Sequence, residues 1–555
     1  MDNEIILHFR DTWSRYGTTF ARGRAHVSGQ FLEGEGLAEY FDANSIEEVI
    51  DRANGFWGLV KKFDNSMLLA ADRMRSYPLF YGIYCNTVYV SDDPYWLKEA
   101  LGCQEYDQVS WNEFLVAGYV TGRDTLFTEV KQILPGEIVY IDYNEDDQVK
   151  IKNIQYYSFI HGNYFSGLSR EQLLQLHGEV FLNSVKRLID FAGGRTVVVP
   201  LSGGYDSRLL VTALRKMEYE NVITFSYGKN DNEECLKSRE VAESLNFKWI
   251  FIPYDNDKTF IWYNSELRKD FNSYGDNLST VLPDREWPAV LELKRLTLIP
   301  EDSLFVPGHS GDFISGGHIP LDLCTSEQLQ ENLVDAVLKK HYVMWNWKGL
   351  ENRWRGEFSK KILENADIGF SFPDTPNMYE KWNWQECQIK RMVNSVKIYD
   401  FFKYEYWLPL WDYEYMDFWS RVPLYYRINK NLYDEYVVAL YAEISGLTLE
   451  KAWERVPAAD NDTLVRKLYK KTRNLIAFIL NQDKTRLSKE ESRNEDWEQS
   501  SGRMTKELYD ELMPYMIGRS SCTTLERLGL IYFEEKKVPE GTIKLLEMLK
   551  KGSRP

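Results

Sequence analysis

The sequence predicts a mixed α/β and α+β chain. An antiparallel β sandwich comes first, a domain built on a parallel sheet follows, and helical additions close the C-terminal end. Three observations predict this. Residues 1–155 hold short alternating apolar and polar segments between Gly, Asn and Asp, the period-2 pattern of half-buried strands. Residues 156–460 alternate β-branched runs with segments of helical period, which implies parallel strands joined by right-handed crossovers. Residues 461–555 are charged and helical in period. At 555 residues the chain exceeds one ordinary core, so these segments are read as three domains.

In the first segment, Gly55 to Val60, Ser66 to Ala70, Val88 to Ser91 and Gly136 to Asp142 read as strands. The second segment opens with a helical pattern from Glu171. Val197-Val198-Val199-Pro200-Leu201 then runs into Ser202-Gly203-Gly204-Tyr205-Asp206-Ser207-Arg208. Leu209, Leu210, Ala213, Leu214 and Met217 follow at helical spacing. A buried strand, a glycine turn and a helix N-terminus make an anion site, because backbone N–H groups and the helix dipole converge there. Gly203 and Gly204 are expected to free the backbone for close approach of a phosphate. Ser202 and Ser207 add hydroxyl donors, and Asp206 offers a carboxylate to a hard cation such as Mg²⁺.

Two further strands, Asn221 to Gly228 and Phe247 to Ile252, flank a helix over Glu233 to Leu245 with Leu236, Val241, Ala242 and Leu245 inward. Ligands of such sheets bind at the carboxyl ends of the strands, which puts Ser226 and Gly228 beside the Ser202 loop. A second glycine-rich loop follows the strand Ser303 to Val306: Gly308-His309-Ser310-Gly311-Asp312, then Gly316-Gly317-His318. Asp312 is a second candidate Mg²⁺ ligand, and His309 and His318 are candidate proton carriers. Beyond about Asp460 the pattern turns helical, with Leu475 to Leu480 a short helix face, Lys484 to Gln499 a polar stretch and Arg503 to Lys551 a small helical bundle.

Composition narrows the function. A net charge of -17 argues against bulk nucleic-acid binding, which works by neutralising phosphates. Six scattered cysteines without a Cys-x-x-Cys pair fit buried thiols in a reducing cytoplasm, not zinc or disulfides. Cys85 and Cys103 are expected in the core. No secretory signal and no apolar run long enough for a bilayer is read.

The motifs resemble a known family. Ser202 to Ser207 after a buried strand looks like the pyrophosphate loop of the ATP pyrophosphatases, and the Walker lysine is absent. Gly55-Phe56-Trp57, Asp72-Arg73 and Tyr77-Pro78-Leu79-Phe80-Tyr81 resemble the class II glutaminase domain of the asparagine synthetases. Gly118 to Phe127 and Leu134-Pro135-Gly136 resemble that family's bridge between domains, and Gly308 to Asp312 its metal and pyrophosphate loop. Glu405, Pro409 and Asp412 match a segment whose glutamate, in the related β-lactam synthetases, helps ready the amine. The resemblance implies an ATP- and Mg²⁺-dependent ligase that adenylates a carboxylate. It assigns nucleotide contacts to Leu201, Ser202, Gly203, Gly204, Asp206, Ser207, Ser226, Gly228, Gly308, Ser310 and Gly311. Metal ligands are Asp206 and Asp312, and catalytic roles fall to Glu405 and His309. Arg427 and Lys430 stand about where the family's cationic segment begins.

The departures carry as much information. Asp2 stands where the family has its nucleophilic cysteine, and the strings that hold glutamine are missing, so the first domain is expected to be a degenerate glutaminase. Nitrogen would then come from ammonia, a substrate amine or a separate partner. His309 and Phe313 replace two glutamates of the family, which puts aspartate in doubt as substrate. The Gly-His-Ser-Gly-Asp version looks like that of asparagine-synthetase-like proteins linked to bacterial surface polysaccharides, which suggests a sugar carboxylate as acceptor. The oligomeric state stays open, a homodimer included. Two rival readings are a non-catalytic nucleotide-binding scaffold and a nucleic-acid-modifying ATP pyrophosphatase.

Overall fold

The computed structural model describes residues 4–143, 148–230, 232–325, 329–344, 348–369, 374–454, 502–515 and 520–551. It is a mixed α/β structure: an N-terminal β region of two packed sheets, a five-stranded parallel sheet, and helical additions. The expected segments Leu475 to Leu480 and Lys484 to Gln499 lie outside the described residues.

The larger N-terminal sheet is antiparallel and has seven strands, with Asn54–Lys62 and Ser66–Ala71 at its centre. These two strands are buried on both faces. Leu59, Leu68 and Ala70 pack with Leu37, Ala38 and Phe41 of the helix Gly34–Ala43. Val60, Met67, Leu69 and Ala71 meet Tyr81, Val88 and Val90 of the smaller sheet. That smaller sheet departs from the expected antiparallel pattern, because Ile5–His8 runs parallel to Thr87–Ser91. A parallel pair needs a long crossover, and the intervening chain supplies it by building strands of the other sheet.

The parallel sheet has the order Lys248–Pro253, Val222–Gly228, Val197–Pro200, Leu304–Phe305, Glu405–Tyr406. Val197–Pro200 is central, and its side chains are buried through Val199, as expected of a β-branched strand covered on both faces. One correction concerns the helix Glu233–Ser244. Its buried face carries Cys235, Ser238, Val241 and Ala242, while Leu236 is exposed. The Ser238 hydroxyl fixes this rotation: it bonds the Ser226 hydroxyl and accepts from the Trp249 indole at 2.8 Å.

The C-terminal helices Lys506–Leu512, Ser520–Arg527 and Glu540–Lys551 do not form a separate bundle. Leu508, Leu512, Leu525 and Leu546 enter one core with Phe114, Leu115, Val337, Phe358 and Trp382. Among the described residues, no helix is long and apolar enough to cross a membrane. Cys103, Cys235 and Cys522 are buried as expected, but Cys85 is exposed, because it sits in the tight turn after Phe80–Tyr84 with a left-handed backbone (φ 48).

Candidate functional site

The loop after Val197–Pro200 is ordered by its own hydroxyls. The Ser207 hydroxyl accepts from the Ser202 N–H at 3.1 Å, and the Ser202 hydroxyl accepts from the Gly204 N–H at 3.2 Å. The helix Tyr205–Lys216 starts there, with Gly204 extended at its N-terminus (φ -78, ψ -174). Neither Gly203 nor Gly204 has positive φ, which corrects the expectation of a special backbone conformation. A Cβ on Gly203 would press on Lys237 Cβ at 3.2 Å, so close approach of the neighbouring helix is the constraint there.

The second loop lies directly over the first. A Cβ on Gly308 would stand 2.7 Å from the Ser207 backbone nitrogen, and one on Gly311 would stand 2.2 Å from the Tyr433 hydroxyl. This backbone-on-backbone contact brings the two carboxylates together: the Asp312 N–H donates to Asp206 Oδ2 at 3.3 Å. Tyr433 donates to Asp206 Oδ1 at 2.7 Å. The Phe313 N–H donates to Asp312 Oδ1 at 2.8 Å, and His318 Nε2 lies 3.0 Å from Asp312 Oδ2. Burial and then the Asp312 charge push the Asp206 carboxyl up. Burial pushes Asp312 up too, but the His318 hydrogen bond and the charges of His318 and Lys430 outweigh it and hold it low. His318 is therefore a support for Asp312, itself held by Gln388, which donates to Nδ1 at 3.2 Å.

Lys430 completes the mouth. Its ammonium lies 3.0 Å from Asp434 and 4.1 Å from the centre of the Tyr205 ring, which gives that tyrosine a role as a cation platform. Arg427 does not join it. Its guanidinium is buried against Glu380, which also meets His161 at 2.9 Å. Arg208 is also internal: it donates to the carbonyl of Gly203 at 3.2 Å and faces the Tyr441 ring, so it braces the loop from beneath.

A cavity of about 550 Å³ opens at this point, lined by Leu201, Ser202, Gly204, Asp206, Ser207, Ser226, Gly308, His309, Asp312 and Lys430. Gly203, Ser310 and Gly311 shape the loops without facing the cavity, and Gly228 faces a second, adjoining cavity instead. The Ser226 hydroxyl is occupied, donating to the Leu201 carbonyl at 2.5 Å, so Ser226 offers the cavity a wall and not a donor. His309 lines both cavities, and burial pulls its imidazole down to about 4, so it is neutral at pH 7 and carries no positive charge there.

Glu405 is not in the site. It pairs with Leu304, at the level where Val197 begins the central strand, so it lies at the amino end of the sheet. The strand Val197–Pro200 and Leu201 separate that level from Ser202, about 16 Å at ~3.3 Å per residue. Its carboxylate is held by Arg24 at 2.5 Å and by Arg195. Two guanidinium groups, one from each sheet system, claim this glutamate.

Comparison with known proteins touches the first segment most directly. Residues 34–157 match the glutamine amidotransferase domain family. No curated protein matches the chain. Among solved structures, the chain is similar to glutamine phosphoribosylpyrophosphate amidotransferase from B. subtilis, complexed with ADP and GMP, at 12% identity over 43% of this chain and 72% of that one, TM-score 0.19. It is similar to the NH3-dependent NAD synthetase of Campylobacter jejuni at 15% identity over 42% of this chain and 96% of that one, TM-score 0.20. It is also similar to the glutamine-dependent NAD+ synthetase of Acinetobacter baumannii, in complex with ADP, at 10% identity over 48% of this chain and 62% of that one, TM-score 0.18. Inside the matched domain, Asp72 accepts from the backbone N–H groups of Trp57 at 2.6 Å and Ser76 at 3.2 Å, and so ties the Asp72-Arg73 motif to the central strands.

Sequence reasoning missed one residue between the cavities. Glu286, at the start of the helix Trp287–Arg295, lines both. Tyr399 donates to its Oε1 at 2.5 Å. Burial pushes the Glu286 carboxyl up to about 7, against the pull of the Tyr399 bond. The one available signal was Asp284-Arg285-Glu286 just ahead of a helix, a charged triplet indistinguishable in sequence from solvated surface.

Proposed function

We propose that the protein is an ATP-dependent amide-forming ligase. It activates a carboxylate as an acyl-adenylate with release of pyrophosphate, then passes the acyl group to ammonia or an amine. The observation that carries this reading is the pair of glycine loops packed backbone to backbone at the carboxyl ends of the central strands, with Asp206 and Asp312 at the shared mouth.

Phosphate oxygens would meet the Ser202 and Ser207 hydroxyls and the N–H groups that open the helix Tyr205–Lys216. Asp206 and Asp312 suit Mg²⁺, a hard cation commonly bound by one or two carboxylates plus substrate phosphates. Burial and the Asp312 charge raise the Asp206 carboxyl, and a cation bound beside it would favour its ionised form. When bound, the ion would neutralise charge developing on the departing pyrophosphate. Lys430 adds a fixed positive charge beside it.

In the first step an acceptor carboxylate oxygen attacks the α-phosphorus, and the bond to the bridging oxygen of pyrophosphate breaks. In the second, the nitrogen lone pair attacks the acyl carbon, the carbon–oxygen bond to AMP breaks, and nitrogen loses a proton. Glu286 is placed to take that proton, and with a carboxyl near 7 it is a competent base at neutral pH. This replaces Glu405 in that role. The second cavity would hold the acceptor, with a carboxylate borne on a sugar among its candidates.

We also propose that the first domain supplies no ammonia from glutamine. Burial pushes the Cys103 thiol up to about 11, and Cys85 sits in an exposed turn. Pyrophosphate release from ATP and Mg²⁺ in the presence of a carboxylate panel tests the reading. Release that depends on a carboxylate supports it. ATP binding with no release for any carboxylate would instead favour a nucleotide-binding scaffold.

A further inference from the structure

The adjoining cavity measures about 880 Å³ and shares the lining residues Tyr227, Glu234, Arg285, Glu286 and His309 with the nucleotide cavity. Its outer wall comes from the C-terminal segment: Met504, Tyr509, Thr523 and Phe533 face it. These residues lie beyond residue 460, outside the segment read as the parallel-sheet domain, and carry no motif of the sequence reading. We infer that Met504, Tyr509, Thr523 and Phe533 form the acceptor-selecting wall of the enzyme, and that this wall sizes the site for a carboxylate carried on a body larger than a free amino acid. This rests on reading the smaller cavity as the nucleotide site.

Volume supports the size class. A cavity near this size encloses a ligand of drug-like dimensions, several times what a free amino acid needs. The wall chemistry supports a polar, ring-bearing or amide-bearing body. Tyr227 and Tyr254 stack at 5.3 Å between ring centres, and Tyr263 and Tyr399 continue the aromatic lining. Arg285 and Arg391 add cations, and the buried Arg391 Nε has no hydrogen-bond partner among the described residues.

The wall is also fastened to the reacting end. Asp284 holds Arg503 at 2.8 Å and Arg268 at 2.8 Å, and Arg268 reaches Glu526 at 3.1 Å. Arg503 also donates to the Tyr263 hydroxyl at 2.9 Å, and that hydroxyl donates to the Asp284 carbonyl at 3.0 Å. Asp284 is two residues from Glu286. One buried ionic cluster thus ties the C-terminal wall to the turn that presents Glu286.

The test is pyrophosphate release by the full-length protein with carboxylates of graded size: aspartate, a dipeptide, a tetrapeptide, glucuronate and a glucuronate-containing disaccharide. Thr523→Trp narrows the chamber from the wall, and Met504→Phe is a milder second variant. Wild type is expected to prefer the larger members, and Thr523→Trp to cut kcat/KM for them at least 10-fold relative to the smallest active carboxylate, with ATP affinity unchanged. Peptide and sugar arms identify which body the wall prefers. Equal loss across all sizes in both variants, or a preference for aspartate in wild type, overturns the inference and leaves the ligase reading intact. Saturation-transfer NMR with the same probes separates the two failures. Binding of a large probe that Thr523→Trp abolishes, without any release of pyrophosphate, sustains the wall and sinks the ligase reading. No binding of any probe and no release sinks both.

Discussion

The Tyr399 hydroxyl donates to Glu286 Oε1 at 2.5 Å, on the boundary between the two cavities. Tyr399 is itself pinned, stacked on Phe305 with ring centres 4.4 Å apart, so the position of the glutamate is inherited from the sheet. Glu286→Gln is predicted to lower the amide-forming kcat about 100- to 1000-fold, in the range usual for general base catalysis. It should spare ATP–pyrophosphate exchange, because adenylation needs no proton removed there. Tyr399→Phe should lose less, about 10-fold. Equal loss of both half-reactions in Glu286→Gln would remove Glu286 from the base role.

The same carboxyl fixes a pH dependence. Its folded-state value, about 7, exceeds the ordinary 4.5. The neutral form is therefore favoured by folding, and its stabilising contribution is complete below about 4.5 and lost as pH rises through about 7. Activity runs the other way, since a base works only when ionised. The amide-forming rate should rise with pH through a value near 7 while thermal stability declines over the same interval. Glu286→Gln should flatten that part of the stability profile, which a series of melting curves from pH 4 to 8 checks.

Asp206 and Asp312 are predicted to be unequal. Asp312 is kept ionised by His318 and Lys430, whereas Asp206 is pushed towards its neutral form by burial and by Asp312. Asp312→Asn removes the charge that raises Asp206 and leaves one side-chain oxygen for the two donors His318 and the Phe313 N–H. It should abolish Mg²⁺-dependent pyrophosphate release, at least 100-fold. Asp206→Asn should do the same while making the protein more stable without Mg²⁺, because a buried, disfavoured charge is gone. Melting curves with and without Mg²⁺ read both effects.

The packing of the two loops gives a structural prediction. Gly308→Ala puts a methyl 2.7 Å from a backbone nitrogen that cannot swing aside. It should cost about 1–3 kcal/mol, the usual range for overpacking, and weaken ATP binding as the loops separate. Gly311→Ala strikes the Tyr433 hydroxyl at 2.2 Å. Tyr433→Phe removes the nearest atom but leaves Tyr433 Cζ at 2.7 Å and Asp206 Oδ1 at 2.8 Å, so the double variant should recover part of the loss and fall short of full relief. Additive losses in a double-mutant cycle would show that the contact does not matter.

Much of the fold was legible because strand and helix periods are local. Val197 to Pro200, Val222 to Gly228 and the β segments around Asn54 to Ala71 fall within a residue or two of expectation. Glycine-rich loops were legible as well, since they follow strands directly. What failed depends on contacts far apart in sequence. Glu405 looked catalytic until Arg24, 381 positions away, was seen to hold it. Glu286 and Tyr399 sit 113 positions apart and carry no motif. The face of the helix Glu233–Ser244 turned on one serine hydroxyl, which no hydrophobic pattern reports.

The last prediction concerns Glu405 itself. Arg24 is buried with 4% of its surface exposed, and Glu405 and Arg195 both approach from the parallel-sheet side. The ring of Phe191 also covers the Arg24 guanidinium at 4.5 Å. Removing the carboxylate leaves two cations facing each other with one of them cut off from water. Breaking a fully buried pair costs about 3–5 kcal/mol, but Glu405 is partly open to solvent, so Glu405→Gln should cost less, about 1–2 kcal/mol after that screening. Its kcat for pyrophosphate release should stay within about 2-fold of wild type by the same argument that puts it at the amino end of the sheet. A paired substitution, Arg24→Met with Glu405→Leu, should recover most of the lost stability, because an apolar contact replaces the buried pair. A large fall in kcat for Glu405→Gln at unchanged melting temperature would return this glutamate to the active site.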